Sequence, residues 1–280
     1  MFSTEETEFK KCNVCKKDLN KSMFHKNRIM KDGLQRTCKN CSKKYRKNRR
    51  KKKVIKKAFV EDINNLPQFD IRKELTQKND IFFSATFIAQ SRSGKTTLLK
   101  YLLKKIKDMY DIVIVITQSG HNIIYDDDDV FDIITTGSDG QYKKIINLIR
   151  LFQEKTDNKV KWLVIFDDFS KPKCPLIRDL YTNGRNSFIS VIHLVQDVCM
   201  SMNQCRFNSL FIFLFHQKNP KLVKRTVEHF LLDFVPVPDD VRTKFDKMTF
   251  LINWMQTQSQ NYNSIVLNVD QGKIMKVKAN

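Results

Sequence analysis

The chain has 280 residues, 41% of them hydrophobic, with 21 Phe but only 7 Gly and 6 Pro. That is enough for one full α/β domain plus a small accessory module, and it excludes collagen-like, linker-rich and wholly disordered classes. The formal charge of +21 selects phosphate-rich partners or anionic surfaces, and most of it sits early: residues 1–57 carry 21 Lys/Arg against 5 Asp/Glu, leaving 30 against 25 for the remainder.

The opening stretch MFSTEETEFKKC lacks the apolar segment of a secretory signal. No apolar run approaches the ~18 residues of a membrane helix. A soluble intracellular protein with no membrane partner is therefore expected. Its reducing compartment makes metal a better use of paired cysteines than disulfides.

Three zones follow one another: a cysteine-bearing module over 1–46, a basic linker over 47–58, and a larger domain over 59–280. In the first, Cys12-x₂-Cys15 and Cys38-x₂-Cys41 are separated by 22 residues. Paired spacing of this kind supplies four thiolates for a closed tetrahedral structural Zn²⁺. So small a module cannot build an adequate core, so metal would provide its folding free energy. His25 could replace one of the four cysteines but is read as a plain loop residue, and Cys174, Cys199 and Cys205 as buried or inert thiols. The run KKYRKNRRKKKVIKK from Lys43 to Lys57 is dense like charge suited to DNA phosphates without base reading.

From Phe59 onward, apolar runs of five to eight residues alternate with amphipathic stretches, the pattern of a βαβ domain. Strands are expected at Phe82–Ile88, Ile112–Thr117, Val130–Ile134, Trp162–Phe166, Ile189–Val195 and Leu210–Phe215. Helical patterns occupy Lys95–Lys107, Gln141–Glu154, Pro175–Asn183 and Pro220–Leu232. Most strands are apolar throughout, as a parallel sheet covered on both faces requires. Ser264–Asn268 and Lys273–Lys278, around Asp270-Gln271-Gly272, read as an edge hairpin.

The first strand runs into Ala89-Gln90-Ser91-Arg92-Ser93-Gly94-Lys95-Thr96, and a helix follows at once. This is G-x-x-x-x-G-K-[ST] with Ala in place of the first Gly. In such a loop, backbone N–H groups curl around phosphate and the new helix adds its N-terminal dipole. Ala89, Ser91, Arg92, Ser93, Gly94, Lys95, Thr96 and Thr97 are the nucleotide-binding candidates. Lys95 would bridge the β- and γ-phosphates and the Thr96 hydroxyl would ligate Mg²⁺. Further on, the strand WLVIF ends in Asp167 and Asp168: Asp167 would hold Mg²⁺ and Asp168 would orient and deprotonate the attacking water. The run Asp126–Asp129 lacks a preceding apolar strand and is read as a solvated turn.

Beyond these lie Leu180-Tyr181-Thr182-Asn183-Gly184-Arg185-Asn186, a strand closed by Gln196, and Cys205-Arg206-Phe207-Asn208 before another apolar strand. The ordered set resembles the genome-packaging ATPases of large DNA viruses and virophages, within the FtsK-HerA superfamily, over about residues 80–270. The resemblance implies a RecA-like P-loop NTPase fold, ATP with Mg²⁺, double-stranded DNA as substrate, a homo-oligomeric ring, and capsid or portal-vertex proteins as partners. It implies a place in the host cytoplasm, at a viral factory, or in the virion. By the same resemblance Gln196 is the polar sensor of the γ-phosphate and Arg206 the arginine finger reaching a neighbouring subunit. Arg185 is the competing finger, in a G-R-H-like turn whose third residue is here Asn186. Met30-Lys31-Asp32-Gly33-Leu34-Gln35-Arg36-Thr37-Cys38 is similar to zinc-ribbon modules found beside viral and phage nucleases. A helicase, a plasmid-transfer motor, and a zinc-dependent nucleic-acid adaptor with a nucleotide switch are the competing readings.

Overall fold

The computed structural model describes residues 9–26, 32–43, 62–77, 81–117, 125, 129–136, 141–167, 175–198, 208–239, 241 and 243–279. The chain divides into two compact units, 1–55 and 56–280. Most of the basic run, along with Asp126 to Asp128, Asp168, Cys174, Cys199, Cys205 and Arg206, lies outside the described residues.

Among the described residues the first unit has four short strands: β1 (Phe9–Lys11) pairs antiparallel with β2 (Asp18–Asn20), and β3 (Phe24–Lys26) with β4 (Leu34–Cys38). Its buried centre is Cys12, Phe24 and Cys38. Among the described residues, these three side chains are too few to offset the ordering entropy of such a segment by burial alone.

The second unit holds one eight-stranded sheet. Its strands are β5 (Ser84–Ile88), β6 (Ile112–Thr117), β7 (Ile133–Thr136), β8 (Trp162–Asp167), β9 (Ile189–Val195), β10 (Phe211–Leu214), β11 (Asn263–Asn268) and β12 (Lys273–Lys278). Their spatial order is β12-β11-β10-β5-β9-β8-β6-β7. The six from β10 to β7 are mutually parallel, while β11 runs antiparallel to β10 and β12 closes the edge as a hairpin.

Alternation along the buried strands divides their side chains between two cores, as the two-residue period dictates. Val113, Val115, Leu163 and Ile165 face helices α1 (Ile71–Thr76) and α2 (Lys95–Ile106). Ile114, Ile116, Val164 and Phe166 face α3 (Gln141–Lys155) and α4 (Pro175–Asn183). In α2 the residues Leu98, Leu99, Leu102, Leu103 and Ile106 are all buried. At ~1.5–3 kcal/mol for each such side chain, this stripe fixes the helix firmly on the sheet. The many phenylalanines fill the same layer: Phe87 stacks on Phe213 with centroids 4.2 Å apart, and Phe69 meets Phe211 edge-on at 5.2 Å.

Some bounds differ from the sequence expectations. Val130 and Phe131 precede β7 instead of opening it, and are buried in the core beside Tyr125, whose ring meets Phe131 edge-on. The apolar signal there comes from packing, not from pairing. The helix α5 (Pro220–Thr226) passes into a π turn over Val227–Leu231. A further helix, α6 (Lys244–Gln258), has a weak apolar stripe, with Leu251, Trp254 and Met255 buried. Its sequence signal is an N-cap threonine instead: Thr243 Oγ1 accepts from the Asp246 N–H at 3.1 Å and donates to the Asp246 carboxylate.

Candidate active site and metal centre

Parallel strands bring their C-terminal ends to one edge of the sheet, and that edge gathers the predicted nucleotide residues. β5 ends at Ile88, in register with Val195 of β9, and Leu194 of β9 is in register with Asp167 of β8. Asp167 and the loop after Ile88 are thus two strands apart, about 10 Å in the sheet plane, with the strand bearing Gln196 between them.

The loop after Ile88 is tightly curled. Arg92 (φ 62°) and Gly94 (φ 88°) both adopt left-handed backbone, curling the segment before α2 begins. Gly94 supplies no capping side chain, so the first N–H groups of α2 meet no side-chain acceptor there. The Ser93 hydroxyl oxygen is buried without a hydrogen-bond partner among the described residues. Lys95 is only 7% exposed, and its Nζ donates to the Ala89 carbonyl at 3.1 Å. A lysine is rarely buried unless paired, and this one is folded back into a loop rich in donors, an arrangement that fits a polyanion. Gln90 ties the loop to the strand beside it, its Oε1 accepting from the Lys218 N–H at 3.0 Å just beyond β10. Ser91, Arg92 and Thr97 are exposed and Thr96 is partly so.

Asp167 is half-buried and accepts a hydrogen bond from the Tyr125 hydroxyl. Tyr125 is itself 2% exposed, with the Lys100 ammonium of α2 6.0 Å from its ring centroid. No motif or spacing in the sequence marks this tyrosine, which is followed only by an acidic run. Gln196 and Asp167 share the edge with Lys95. Arg185 does not: it is exposed in the turn Gly184–Ser187, just before β9, at the opposite end of the sheet. The length of β9 puts it about 20 Å from its own chain's phosphate loop. There Arg185 and Asn208 line a cleft of about 800 Å³.

The sequence profile described as Poxvirus A32 protein matches residues 67–269. The chain belongs to the poxvirus A32 protein family. That is a family of packaging ATPases, and the chain is a P-loop ATPase. Two solved structures are similar in fold. The genome packaging NTPase B204 of Sulfolobus turreted icosahedral virus 2, solved with AMPPCP, is 14% identical over 71% of this chain and 98% of its own, with a TM-score of 0.53. The DNA-packaging ATPase B204 of Sulfolobus turreted icosahedral virus is 17% identical over 71% and 98%, with a TM-score of 0.51. No curated protein matches the chain. Among the described residues, no helix is long and apolar enough to cross a membrane.

In the first unit, Cys12, Cys15, Cys38 and Cys41 place their Sγ atoms within 4.8 Å of one another. Tetrahedral Zn²⁺ with Zn–S bonds of ~2.3 Å needs sulfurs about 3.8 Å apart, so the cluster could hold the ion with small adjustments. His25 is exposed and takes no part. The Cys38 N–H donates to Cys12 Sγ at 3.3 Å, which draws the Cys12 thiol down to about 6. The thiol of Cys41 is pushed up to about 12, first by its hydrogen bond with Cys38 and then by burial. Four sulfurs this close cannot all be thiolates without a cation among them.

Proposed function

We propose that this chain is the ATP-driven motor that moves double-stranded viral DNA into a capsid. The observation that carries the proposal is the shared edge: a donor-rich loop with buried Lys95, a carboxylate at Asp167, and Gln196 on the strand between them. In this reading Ala89, Ser91, Arg92, Ser93, Gly94, Lys95, Thr96 and Thr97 bind the triphosphate. Thr96 and Asp167 would hold Mg²⁺, Tyr125 orients the Asp167 carboxylate, Asp168 takes the proton of the attacking water, and Gln196 positions that water. Bound Mg²⁺ would neutralise charge developing on the phosphate oxygens.

Arg206 and Arg185 are the candidates for a finger in trans. Arg185 stands too far from its own loop to act in cis, so any contact it makes with a phosphate requires a second copy. A finger supplied by a neighbour is worth roughly 10³–10⁵ in rate, which would make hydrolysis depend on a ring. The four-cysteine module would bind zinc and, with the basic run, hold duplex phosphates, and capsid or portal-vertex proteins would dock the ring. The cytoplasmic viral factory or the virion is the setting this reading requires.

The test is ATP hydrolysis against protein concentration, with and without duplex DNA, for wild type and Lys95→Ala. A wild-type rate that climbs with both, and is lost in Lys95→Ala, is expected. Equal, negligible and DNA-insensitive turnover in the two proteins contradicts the motor and leaves the zinc-dependent adaptor.

A further inference from the structure

Between α6 and β11 the chain turns at Gln260-Asn261-Tyr262-Asn263, closed by the Asn263 N–H donating to the Gln260 carbonyl at 3.0 Å. Asn261 (φ 54°) and Tyr262 (φ 61°) are both left-handed, the pattern of a type I′ turn. That turn favours Asn first and Gly second. Asn261 suits its place. A tyrosine in the glycine position is strained, and such strain persists where the surroundings use the side chain it positions.

The ring nonetheless stands in the open, 72% exposed, at the phosphate loop: a Cβ built on Gly94 would lie 3.4 Å from Tyr262 Cδ1. β11 starts beside the C-terminal end of β10, with Ile265 paired to Leu214. Tyr262 therefore stands at the same edge as Lys95, on the side of β5 away from β9 and Asp167. A triphosphate whose terminal phosphoryl points at Asp167 and Gln196 sends its nucleoside the other way, toward this ring.

We propose that Tyr262 is the platform on which the nucleobase stacks, the contact that separates a nucleoside triphosphate from a bare polyphosphate. The inference rests on the nucleotide site proposed above. An exposed aromatic face beside a phosphate cradle offers a base its π surface without reading its edge. Discrimination among bases at this contact is accordingly weak, and recognition of a base as such is strong.

The test compares dissociation constants for ATP, GTP and inorganic tripolyphosphate, each with Mg²⁺, by calorimetry on the full chain. Base stacking of ordinary strength means that Tyr262→Gly weakens both nucleotides by at least about fivefold. It leaves tripolyphosphate within about twofold, and Tyr262→Phe retains wild-type values. Glycine also relieves the turn, so Tyr262→Gly unfolds no earlier than wild type, which separates lost contact from lost fold. Unchanged nucleotide binding in Tyr262→Gly, or an equal loss of tripolyphosphate, overturns the platform while a Lys95→Ala protein that loses all three ligands leaves the site itself standing. If Lys95→Ala binds all three like wild type, the nucleotide site fails and the platform with it.

Discussion

Replacing Gly94 with alanine isolates the backbone's part in building the phosphate loop. At φ 88° an L-residue suffers the left-handed clash of its Cβ with the carbonyl that follows, which costs roughly 1–2 kcal/mol. The side-chain part is smaller. The new methyl would lie 3.4 Å from Tyr262 Cδ1, at the near limit of ordinary contact, and the ring is exposed and free to give way. The backbone cost therefore decides the outcome, and Gly94→Ala lowers the unfolding midpoint of the nucleotide-free protein by about 2–8 °C. A loop that escapes the strain by changing shape keeps its stability but loses the cradle, and ATP then binds more weakly. Gly33→Ala, in the first unit at φ 67° with nothing within 4 Å of the built Cβ, is the specificity control: it should leave the unfolding midpoint of the second unit and ATP affinity unchanged. Differential scanning calorimetry and ATP titration together read both outcomes. A Gly94→Ala protein unchanged in midpoint and in ATP affinity would refute the reasoning.

Zinc titrated into metal-free protein in weak buffer should release protons, because the Cys41 thiol, at about 12, is protonated at neutral pH and must give up its proton to ligate. Affinity then falls as pH is lowered, and binding without proton release contradicts the cluster. Cys12→Ser or a chelator should abolish the structure of the first unit, whose buried centre among the described residues is three side chains, while the unfolding transition of the second remains; circular dichroism melts of the full chain check this. Tyr125→Phe removes the donor to Asp167 and should slow ATP hydrolysis several-fold, with a stability loss of about 1 kcal/mol; an unaltered Mg²⁺ dependence of turnover counts against the pairing. Arg185→Ala should leave ATP binding by the dilute, monomeric chain unchanged, since about 20 Å of strand separates that residue from its own loop, and a weakened ATP dissociation constant under those conditions contradicts this placement.

The sheet was legible because its strands are buried on both faces, and runs such as IVIVIT and WLVIFD admit few other readings. The proposed phosphate loop is written locally, as a motif of eight consecutive residues between a strand and a helix, and both of those elements form where the sequence places them. What the sequence hid is tertiary. Tyr125 meets Asp167 across 42 positions, and Tyr262 reaches Gly94 from the far end of the domain, so no spacing rule connects either pair. Val130 and Phe131 imitate a strand because the core needs apolar volume there. The helix over Lys244–Gln258 escaped because few of its residues are buried, although Thr243 and Asp246 announced its start. The four cysteines were readable as a set because two C-x-x-C pairs define a ligand geometry before any fold is known.

In the proposed function Lys95 and Asp167 serve one triphosphate. Electron paramagnetic resonance of Mn²⁺, standing in for Mg²⁺, tests it most directly. Wild-type protein should immobilise the ion only when ATP is present, and both Lys95→Ala and Asp167→Asn should lose that ATP-dependent signal. An Asp167→Asn protein that holds Mn²⁺ with ATP as tightly as wild type would show that the carboxylate belongs to some other part of the molecule's chemistry.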